Sequence, residues 1–183
     1  MPSASRRSAL LAIDFINPLL STDGALGAAA VSAARATAKL IAQARRTRMP
    51  VIYANDHFGD WHSEFSRLLD ACREGNGCGR QVLESVEPGT KDFAILKPRH
   101  SAFYGTPLEF LLEELRVGRL ILTGLQTDIC VMATAQDAYM RKFKLWVPRN
   151  CVASESKQRH SAAIELLRAN FGADTHRSNI SLR

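Results

Sequence analysis

The chain has 183 residues, of which 46% are hydrophobic and 23% are charged, and its formal net charge is +6. This length and composition are typical of a single globular domain, taken here as residues 1–183, that buries its core without disulfides. No apolar run is long enough to cross a bilayer, so we expect no membrane partner. The basic residues are scattered and form no nucleic-acid motif, so we expect no nucleic-acid partner either.

The amino terminus has two arginines before an apolar run, a pattern that resembles an export signal. Asp14 interrupts the run after about six residues, which is too short for a signal core, and no small-residue cleavage site follows. The cysteines are irregularly spaced and include no Cys-x-x-Cys pair, which argues against a disulfide framework or a zinc knuckle. They are Cys72, Cys78, Cys130 and Cys151. We therefore expect a cytoplasmic protein.

The first half of the chain opens with a strand, a helix and a second strand. The apolar run 8–13 predicts a buried strand, the alanine-rich segment 25–48 predicts a helix, and Pro50 precedes another strand. A less regular region follows, with an amphipathic piece at 64–72 and a glycine-rich loop at 75–79. We expect a lid or a subunit contact there.

The second half continues to alternate between strands and helices. The predicted elements are a strand at 93–96, a helix from Thr106 to about 115, a strand at 119–123, a helix at 128–141, a strand at 144–147, a helix at 156–170 and a short last strand near Ala173. Alternation with nearly continuous apolar strands predicts an α/β fold of three αβα layers, in which a parallel sheet is covered on both faces. The Gly-x-Gly-x-x-Gly and Walker sequences are absent, which disfavours nicotinamide or ATP enzymes, so we expect no organic cofactor.

Three chemically useful residues follow predicted strands. Asp14 follows the first strand, Lys97 the third and Cys130 the fourth. The carboxyl ends of parallel strands share one edge of a sheet, so these side chains are expected to meet there. A thiolate is a nucleophile, a carboxylate can carry a proton, and an ammonium or a helix amino terminus lowers a thiol pKa. We predict an acyl-transfer site with an activated Cys130.

Each of these residues also has a structural interpretation. Cys130 could be a small buried hydrophobe, Asp14 a cap and Lys97 a solvated charge at a strand end. Their shared place at the sheet edge favours catalysis. We expect the substrate pocket to include Phe15, Asn55, Trp61, Arg99 and Phe103. Core or dimer packing is the alternative for the aromatic residues, and a solvated surface position is the alternative for Arg99, whose guanidinium would suit a carboxylate.

The motifs resemble those of the isochorismatase-like cysteine hydrolases. The resemblance covers about residues 9–167 and is carried by Asp14 with Asn17, by Lys97 followed by Ser101-Ala102-Phe103 and Thr106, and by Gly124, Thr127-Asp128, Cys130-Val131, Thr134-Ala135 and Asp137-Ala138. It implies a six-stranded parallel sheet with a Rossmann-like strand order, and a homo-oligomer, a dimer or a tetramer. It also implies hydrolysis of an amide or carbamoyl C–N bond through a thioester.

The resemblance also implies roles for individual residues. Cys130 would be the nucleophile, Asp14 the proton-transfer residue, and Lys97 the cation that orients Asp14 and lowers the thiol pKa. The Leu125–Gln126 peptide bond would be cis, which would direct the backbone amides of Gln126 and Cys130 at the oxyanion of the tetrahedral intermediate.

Two departures from the family pattern bear on the substrate. Nicotinamidases of this family bind a metal through Asp-x-His, but here Asp56 is followed by His57 and Phe58, so we expect no metal, although His62 and His100 could still cluster. Ile16 replaces a glutamine that is frequent in the first motif. We predict a cysteine-dependent hydrolase of a small amide or carbamoyl compound. A metal-assisted nicotinamidase and a non-catalytic binding or scaffold protein are the alternatives.

Overall fold

The computed structural model describes residues 7–22 and 24–178. The six strands are β1 (Arg7–Ile13), β2 (Val51–Asp56), β3 (Phe93–Lys97), β4 (Val117–Leu125), β5 (Lys144–Trp146) and β6 (Val152–Ala153). The α-helices are α1 (Gly27–Arg46), α2 (Phe65–Glu74), α3 (Cys78–Val86), α4 (Leu108–Glu114), α5 (Met132–Met140) and α6 (Lys157–Phe171), and a π-helix spans Thr127–Val131. Residues 1–6, which belong to the region assessed above as an export signal, lie outside the described residues.

The strands form one parallel sheet in the order β3-β2-β1-β4-β5, and the short strand β6 also pairs with β4. Helices cover both of its faces. Leu10 and Ala12 of β1 belong to one core cluster with α1, α2 and α3, whereas Leu11 and Ile13 belong to a second cluster with α4, α5 and α6. This alternation follows from the period of two in an extended strand. The predicted three-layer αβα fold is confirmed.

The parallel arrangement places the ends of β1, β3 and β4 along one edge of the sheet. β1 is central and pairs with β2 on one side and β4 on the other, while β3 pairs with the far side of β2. Crevices form at this edge because the strand carboxyl ends and the following helix amino termini converge there. No helix in the described part of the chain combines the length and the apolarity that a membrane span requires.

The glycine-rich loop predicted at 75–79 is present at 75–77, but α3 begins at Cys78, so the prediction was wrong for its last two residues and did not include the helix that follows. Its glycines serve close packing: a Cβ atom on Gly79 would lie 2.5 Å from the carbonyl oxygen of Asn17, and one on Gly77 would lie 2.7 Å from that of Leu20. Such distances exclude a side chain. The sequence did contain the helical spacing, because Cys78, Val82 and Val86 recur every four residues and all are buried.

Two further predictions differ from the structure near the carboxyl half. The last strand predicted near Ala173 is only an isolated bridge between Trp146 and Asp174, and the sixth strand is β6 instead. The helix predicted from residue 128 begins as the π-helix and becomes α-helical at Met132. π-helical turns are short and frequently occur at functional sites.

Candidate active site

The backbone places three side chains at the carboxyl edge of the sheet. Asp14 is the first residue after β1 and has a left-handed backbone with φ 51°. Lys97 is the last residue of β3, and Cys130 lies in the π-helix that follows β4. Residues that are 83 and 33 positions apart along the chain therefore reach the same edge.

The three side chains contact one another through the Lys97 ammonium. Its Nζ lies 2.9 Å from Asp14 Oδ2 and 3.6 Å from Cys130 Sγ, and it also donates to the carbonyl oxygen of Arg99 at 3.2 Å. Asp14 Oδ1 accepts the backbone N–H of Asp56 at 2.7 Å. Lys97 is fully buried, Asp14 is 7% exposed and Cys130 is 9% exposed. The structure thus brings together the three residues that the sequence predicted to converge.

For both Asp14 and Lys97, burial and ion pairing shift the pKa in opposite directions. Burial raises the pKa of Asp14 above its usual range, while Lys97 and the hydrogen bonds to the carboxylate act to lower it. Burial alone would lower the pKa of Lys97, but the Asp14 carboxylate and Cys130 outweigh it, so that the pKa is raised. The ion pair therefore keeps its ammonium charged inside the core, where an unpaired charge would be costly.

The electrostatics of Cys130 contradict one prediction. Burial and the neighbouring Asp14 carboxylate raise the pKa of the thiol to about 12, although Lys97 acts to lower it. The sequence predicted a lowered pKa because it placed an ammonium beside the sulfur, but it showed neither the depth of burial nor the closeness of the carboxylate. The raised pKa favours the thiol form of the sulfur, whose proton must then leave during the reaction.

The turn that carries Cys130 is fixed by its own backbone and by one contact with α6. The Leu125–Gln126 peptide bond is cis, and the carbonyl oxygen of Gln126 accepts the N–H groups of Ile129 and Val131 at 3.1 Å each. Thr127 Oγ1 lies 3.0 Å from His160 Nδ1 on α6. The nucleophile position is therefore held by hydrogen bonds within the turn and by the helix behind it.

A cavity of about 530 Å³ lies at the chain segments that flank Lys97, and Asp14, Lys97 and Cys130 are not among its lining residues. Trp61 and Arg99, both predicted pocket residues, line it with His57, Leu96 and Tyr104. The Trp61 ring packs against the His57 ring, with centroids 4.7 Å apart and ring planes tilted by 48°. A few polar groups among aromatic surfaces are typical of a site for a small molecule.

The other predicted pocket residues lie away from this lining. Phe15 is fully buried in the core cluster that packs against α1, and Phe103 packs in the opposite core with the Arg141 guanidinium 4.9 Å from its ring centre. Asn55 is also fully buried, and its side-chain amide donates to the carbonyl oxygen of Ile16 at 2.7 Å. Phe15 and Phe103 thus pack in the core and Asn55 supports the chain after β1, and the role of all three in the substrate pocket stays a prediction.

Comparison with known proteins places this geometry in a family. The model of the Isochorismatase domain matches residues 8–177. The chain belongs to the isochorismatase family. An uncharacterised isochorismatase family protein of Bacillus subtilis, YaaI, is 38% identical over 124 residues, which are 68% of this chain and 67% of that protein.

Two relatives of this family have a named activity. The maleamate amidohydrolase of Pseudomonas putida is 31% identical over 91% of this chain and 82% of its own. The crystal structure of the nicotinamidase/pyrazinamidase PncA from Bacillus subtilis matches with a TM-score of 0.75 and 30% sequence identity. The match covers 93% of this chain and 100% of that chain. The predicted family is confirmed, as is the predicted enzyme class, an isochorismatase-family amidohydrolase that cleaves the C–N bond of a small amide.

The metal site that some family members carry does not fit the residues found here. Phe58 occupies the place of the first metal-binding histidine, and Asp56 Oδ1 accepts the N–H of Phe58. His57 Nδ1 accepts the N–H of Gly59, so this ring nitrogen is already used. Within residues 7–22 and 24–178, no three His, Cys, Asp or Glu side chains are grouped so that they could hold a metal ion.

One contact at the sulfur was not anticipated from the sequence. His100 Nδ1 lies 3.7 Å from Cys130 Sγ, and the His100 residue is exposed to solvent. The sequence indicated His100 only as a possible member of a histidine cluster. Its position three residues after Lys97, at the same strand end, was the signal that could have placed it beside the thiol.

Proposed function

We propose that Cys130, Asp14 and Lys97 are the catalytic groups with which this chain hydrolyses the C–N bond of a small amide or carbamoyl compound through a thioester. The observation that carries the proposal is the buried contact of Lys97 Nζ with both Asp14 Oδ2, at 2.9 Å, and Cys130 Sγ, at 3.6 Å. A carboxylate, a cation and a thiol at one sheet edge supply a base, a charge and a nucleophile.

In the first half of the reaction, the Cys130 thiol attacks the substrate carbonyl carbon and its proton moves to Asp14. A thiol with a pKa of about 12 is not ionised beforehand, so proton removal accompanies the attack. Burial raises the pKa of the Asp14 carboxyl, which brings it closer to that of the thiol and makes the transfer less uphill. Lys97 fixes the carboxylate and compensates for the negative charge that passes between the two groups.

The carbonyl oxygen becomes negatively charged in the tetrahedral intermediate. We assign its stabilisation to the backbone amides of Gln126 and Cys130, on either side of the first turn of the π-helix. Donors that are already fixed in position need no reorganisation when charge develops. Collapse of the intermediate breaks the C–N bond, the leaving nitrogen takes the proton from Asp14, and the acyl group stays on Cys130 as a thioester that water then hydrolyses.

The cavity suggests the size and charge of the substrate. A volume of about 530 Å³ suits a small molecule, and the exposed Trp61 ring offers a flat surface for a planar group. Arg99 lies on the same wall and could bind both oxygens of a carboxylate. We therefore favour an amide or carbamoyl compound that also carries a carboxylate.

The test is a panel of small amides, ureido compounds and carbamoyl compounds, with ammonia release as the readout. We expect at least one to be hydrolysed and its acyl group to be found on Cys130 by mass spectrometry after acid quenching. Cys130→Ala should lower the rate by at least about 10⁴-fold. Cys72→Ala, which changes a buried cysteine on α2, is the matched control and should retain activity.

Other outcomes of the same panel favour the alternatives. Hydrolysis of nicotinamide that is lost on chelation and restored by a divalent metal would favour a metal-assisted nicotinamidase. A folded protein that releases ammonia from no compound would favour a binding or scaffold role. Unchanged hydrolysis in Cys130→Ala would contradict the proposed triad.

We also propose that the chain forms a single domain and acts in the cytoplasm as a homo-oligomer, a dimer or a tetramer. Exposed apolar side chains on the outer helices support an association between copies, since Phe110 on α4 is 73% exposed and Met140 on α5 is 60% exposed. Light scattering during size-exclusion chromatography measures the number of subunits, and cell fractionation measures the location. A monomer at micromolar concentration would contradict the oligomer.

A further inference from the structure

The Cys130 sulfur has two very different neighbours that can handle a proton. Asp14 is buried, and Lys97 lies against it in the core. His100 is exposed, and its Nδ1 lies 3.7 Å from the sulfur. An imidazole is the side chain best suited to exchange protons near neutral pH. The triad mechanism makes no use of it.

The segment that carries His100 is fixed in position. On one side, β3 ends at Lys97, three residues before His100. On the other side, the next two residues form hydrogen bonds with α5. Ser101 Oγ donates to Asp137 Oδ2 at 2.5 Å, and the N–H of Ala102 donates to Thr134 Oγ1 at 3.0 Å. Within the described residues, Cys130 Sγ is the one hydrogen-bond partner of the His100 ring. The imidazole therefore supports no part of the fold through hydrogen bonds, and its single polar contact is the nucleophile.

Asp14 is well placed for the first half of the reaction and poorly placed for the second. Its two oxygens accept hydrogen bonds from the Asp56 amide and the Lys97 ammonium. Once the thioester has formed, the attacking water has to enter from solvent and lose a proton. A carboxylate that is 7% exposed is poorly accessible to a water that enters from solvent, whereas His100 is exposed beside the sulfur.

We propose that His100 is the general base for the water that hydrolyses the thioester on Cys130. The inference rests on the proposed function, because it requires a thioester. The water oxygen bonds to the thioester carbonyl carbon while one water proton moves to His100 Nδ1. The carbon–sulfur bond then breaks and the sulfur takes the proton back from Nδ1, across the 3.7 Å contact. The products are a carboxylic acid and the free thiol, so atoms and charge balance.

This assignment divides the proton transfers between two groups. Asp14 carries the thiol proton to the leaving nitrogen, and His100 carries the water proton to the departing sulfur. Loss of His100 should therefore slow the second half of the reaction and spare the first. A merely structural role would affect both halves or neither.

The test uses p-nitrophenyl acetate, whose acetyl group a thiol takes up with release of coloured p-nitrophenolate, so that the natural substrate need not be known. His100→Gln in the full-length chain should give a rapid burst of about one p-nitrophenolate per enzyme, as in the wild type. The following steady rate should be about a hundredfold lower than that of the wild type. Mass spectrometry should show the acetyl group accumulating on Cys130, and added imidazole should partly restore the steady rate by acting as an external base.

His176→Gln is the matched control, because it makes the same substitution at an exposed histidine near the other edge of the sheet, and it should behave as the wild type. His100→Ala, which loses the side chain altogether, should reproduce the result for His100→Gln. A wild-type steady rate in both variants overturns the inference, and so does a lost burst in a folded variant. A wild-type protein without a Cys130-dependent burst overturns the proposed thioester itself, which separates the two failures.

Discussion

The two edges of the sheet both carry a cavity, and the larger one is at the edge without the triad. At the amino edge, a cavity of about 940 Å³ is lined by residues that include Arg7, Arg48, Arg119 and Trp146. At the carboxyl edge, the cavity is about 530 Å³ and is lined by Leu96 and Pro98, the two neighbours of Lys97 in the chain. The larger of these two cavities is therefore not the one at the edge that carries the proposed catalytic residues.

The edges differ in how their charged groups are held. At the amino edge, Arg119 rests 5.6 Å from the centre of the Trp146 ring and is partly solvated, so its charge costs little. At the carboxyl edge, Lys97 is fully buried, and its positive charge is compensated by the Asp14 carboxylate. A buried ion pair is seldom the most stabilising choice for a core, so its presence indicates a function. Four substitutions, ordered by expected effect, test this contrast.

Asp14→Asn should have the largest effect. It removes the proton acceptor and keeps the size of the side chain, so the rate of hydrolysis of the best panel substrate should fall by about 10³- to 10⁴-fold. The thiol should become easier to ionise, because burial and the Asp14 carboxylate together raise the pKa of Cys130 to about 12, and the change removes the carboxylate while burial and the opposing effect of Lys97 remain.

The measurement is the rate of iodoacetamide alkylation of Cys130 as a function of pH. In the wild type this rate should rise about tenfold per pH unit without a plateau at neutral pH, since only the thiolate reacts. In Asp14→Asn the same curve should move to lower pH. A shift to higher pH would show that Asp14 does not oppose ionisation of the thiol.

Lys97→Met should have the next largest effect. It keeps most of the side-chain volume but leaves the Asp14 carboxylate buried without its ammonium, which should cost about 3–5 kcal/mol in the free energy of unfolding. Activity should fall by about 10²- to 10³-fold. Urea titration and steady-state kinetics measure the two effects, and the double variant Asp14→Asn/Lys97→Met should regain part of the stability. If Lys97→Met alone were as stable as the wild type, the buried Asp14 carboxylate would not need the Lys97 ammonium for its stability.

Arg99→Ala should have a moderate effect that depends on the substrate. If Arg99 binds a carboxylate, KM for an amide with a carboxylate should rise about tenfold while kcat changes little, because the interaction is the same in the ground state and the transition state. KM for a neutral amide of the same size should stay the same. Equal changes for both substrates would show that Arg99 acts on the fold instead.

Arg119→Ala should have the smallest effect. It removes a cation from the larger cavity at the amino edge, and kcat/KM for the best panel substrate should stay within about twofold of the wild type. Steady-state kinetics are sufficient to measure it. A decrease in kcat/KM as large as that of Arg99→Ala would mean that the two edges of the sheet are coupled.

The sequence predicted the fold because its strands are short apolar runs that alternate with helical patterns. It predicted the convergence of Asp14, Lys97 and Cys130 because all three follow strands of a parallel sheet. It missed α3, which begins one residue after Gly77, because the glycines suggested a longer loop. The lack of a side chain at Gly77 and Gly79 permits close contact with the chain after β1. Local composition does not reveal such contacts.

The sequence could not give the energetics of the site. The pKa of Cys130 depends on burial and on the Asp14 carboxylate together, and both arise from distances between distant parts of the chain. The same holds for Phe15 and Phe103, because an aromatic residue near a motif can point into a core or a cavity with the same sequence around it. His100 could be recognised as a neighbour of the nucleophile only from its contact with Cys130 Sγ, which the fold creates.

The left-handed backbone of Asp14 has a consequence for protein engineering. At φ 51°, glycine would relieve about 1 kcal/mol of conformational energy, but Asp14→Gly alone would leave the buried Lys97 ammonium without its carboxylate, which costs more. Directed evolution for heat resistance alone would thus tend to discard the ion pair as a whole, through Asp14→Gly together with a neutral replacement of Lys97. A selection scheme that alternates thermal challenge with a growth requirement for the amide product would be needed to retain it.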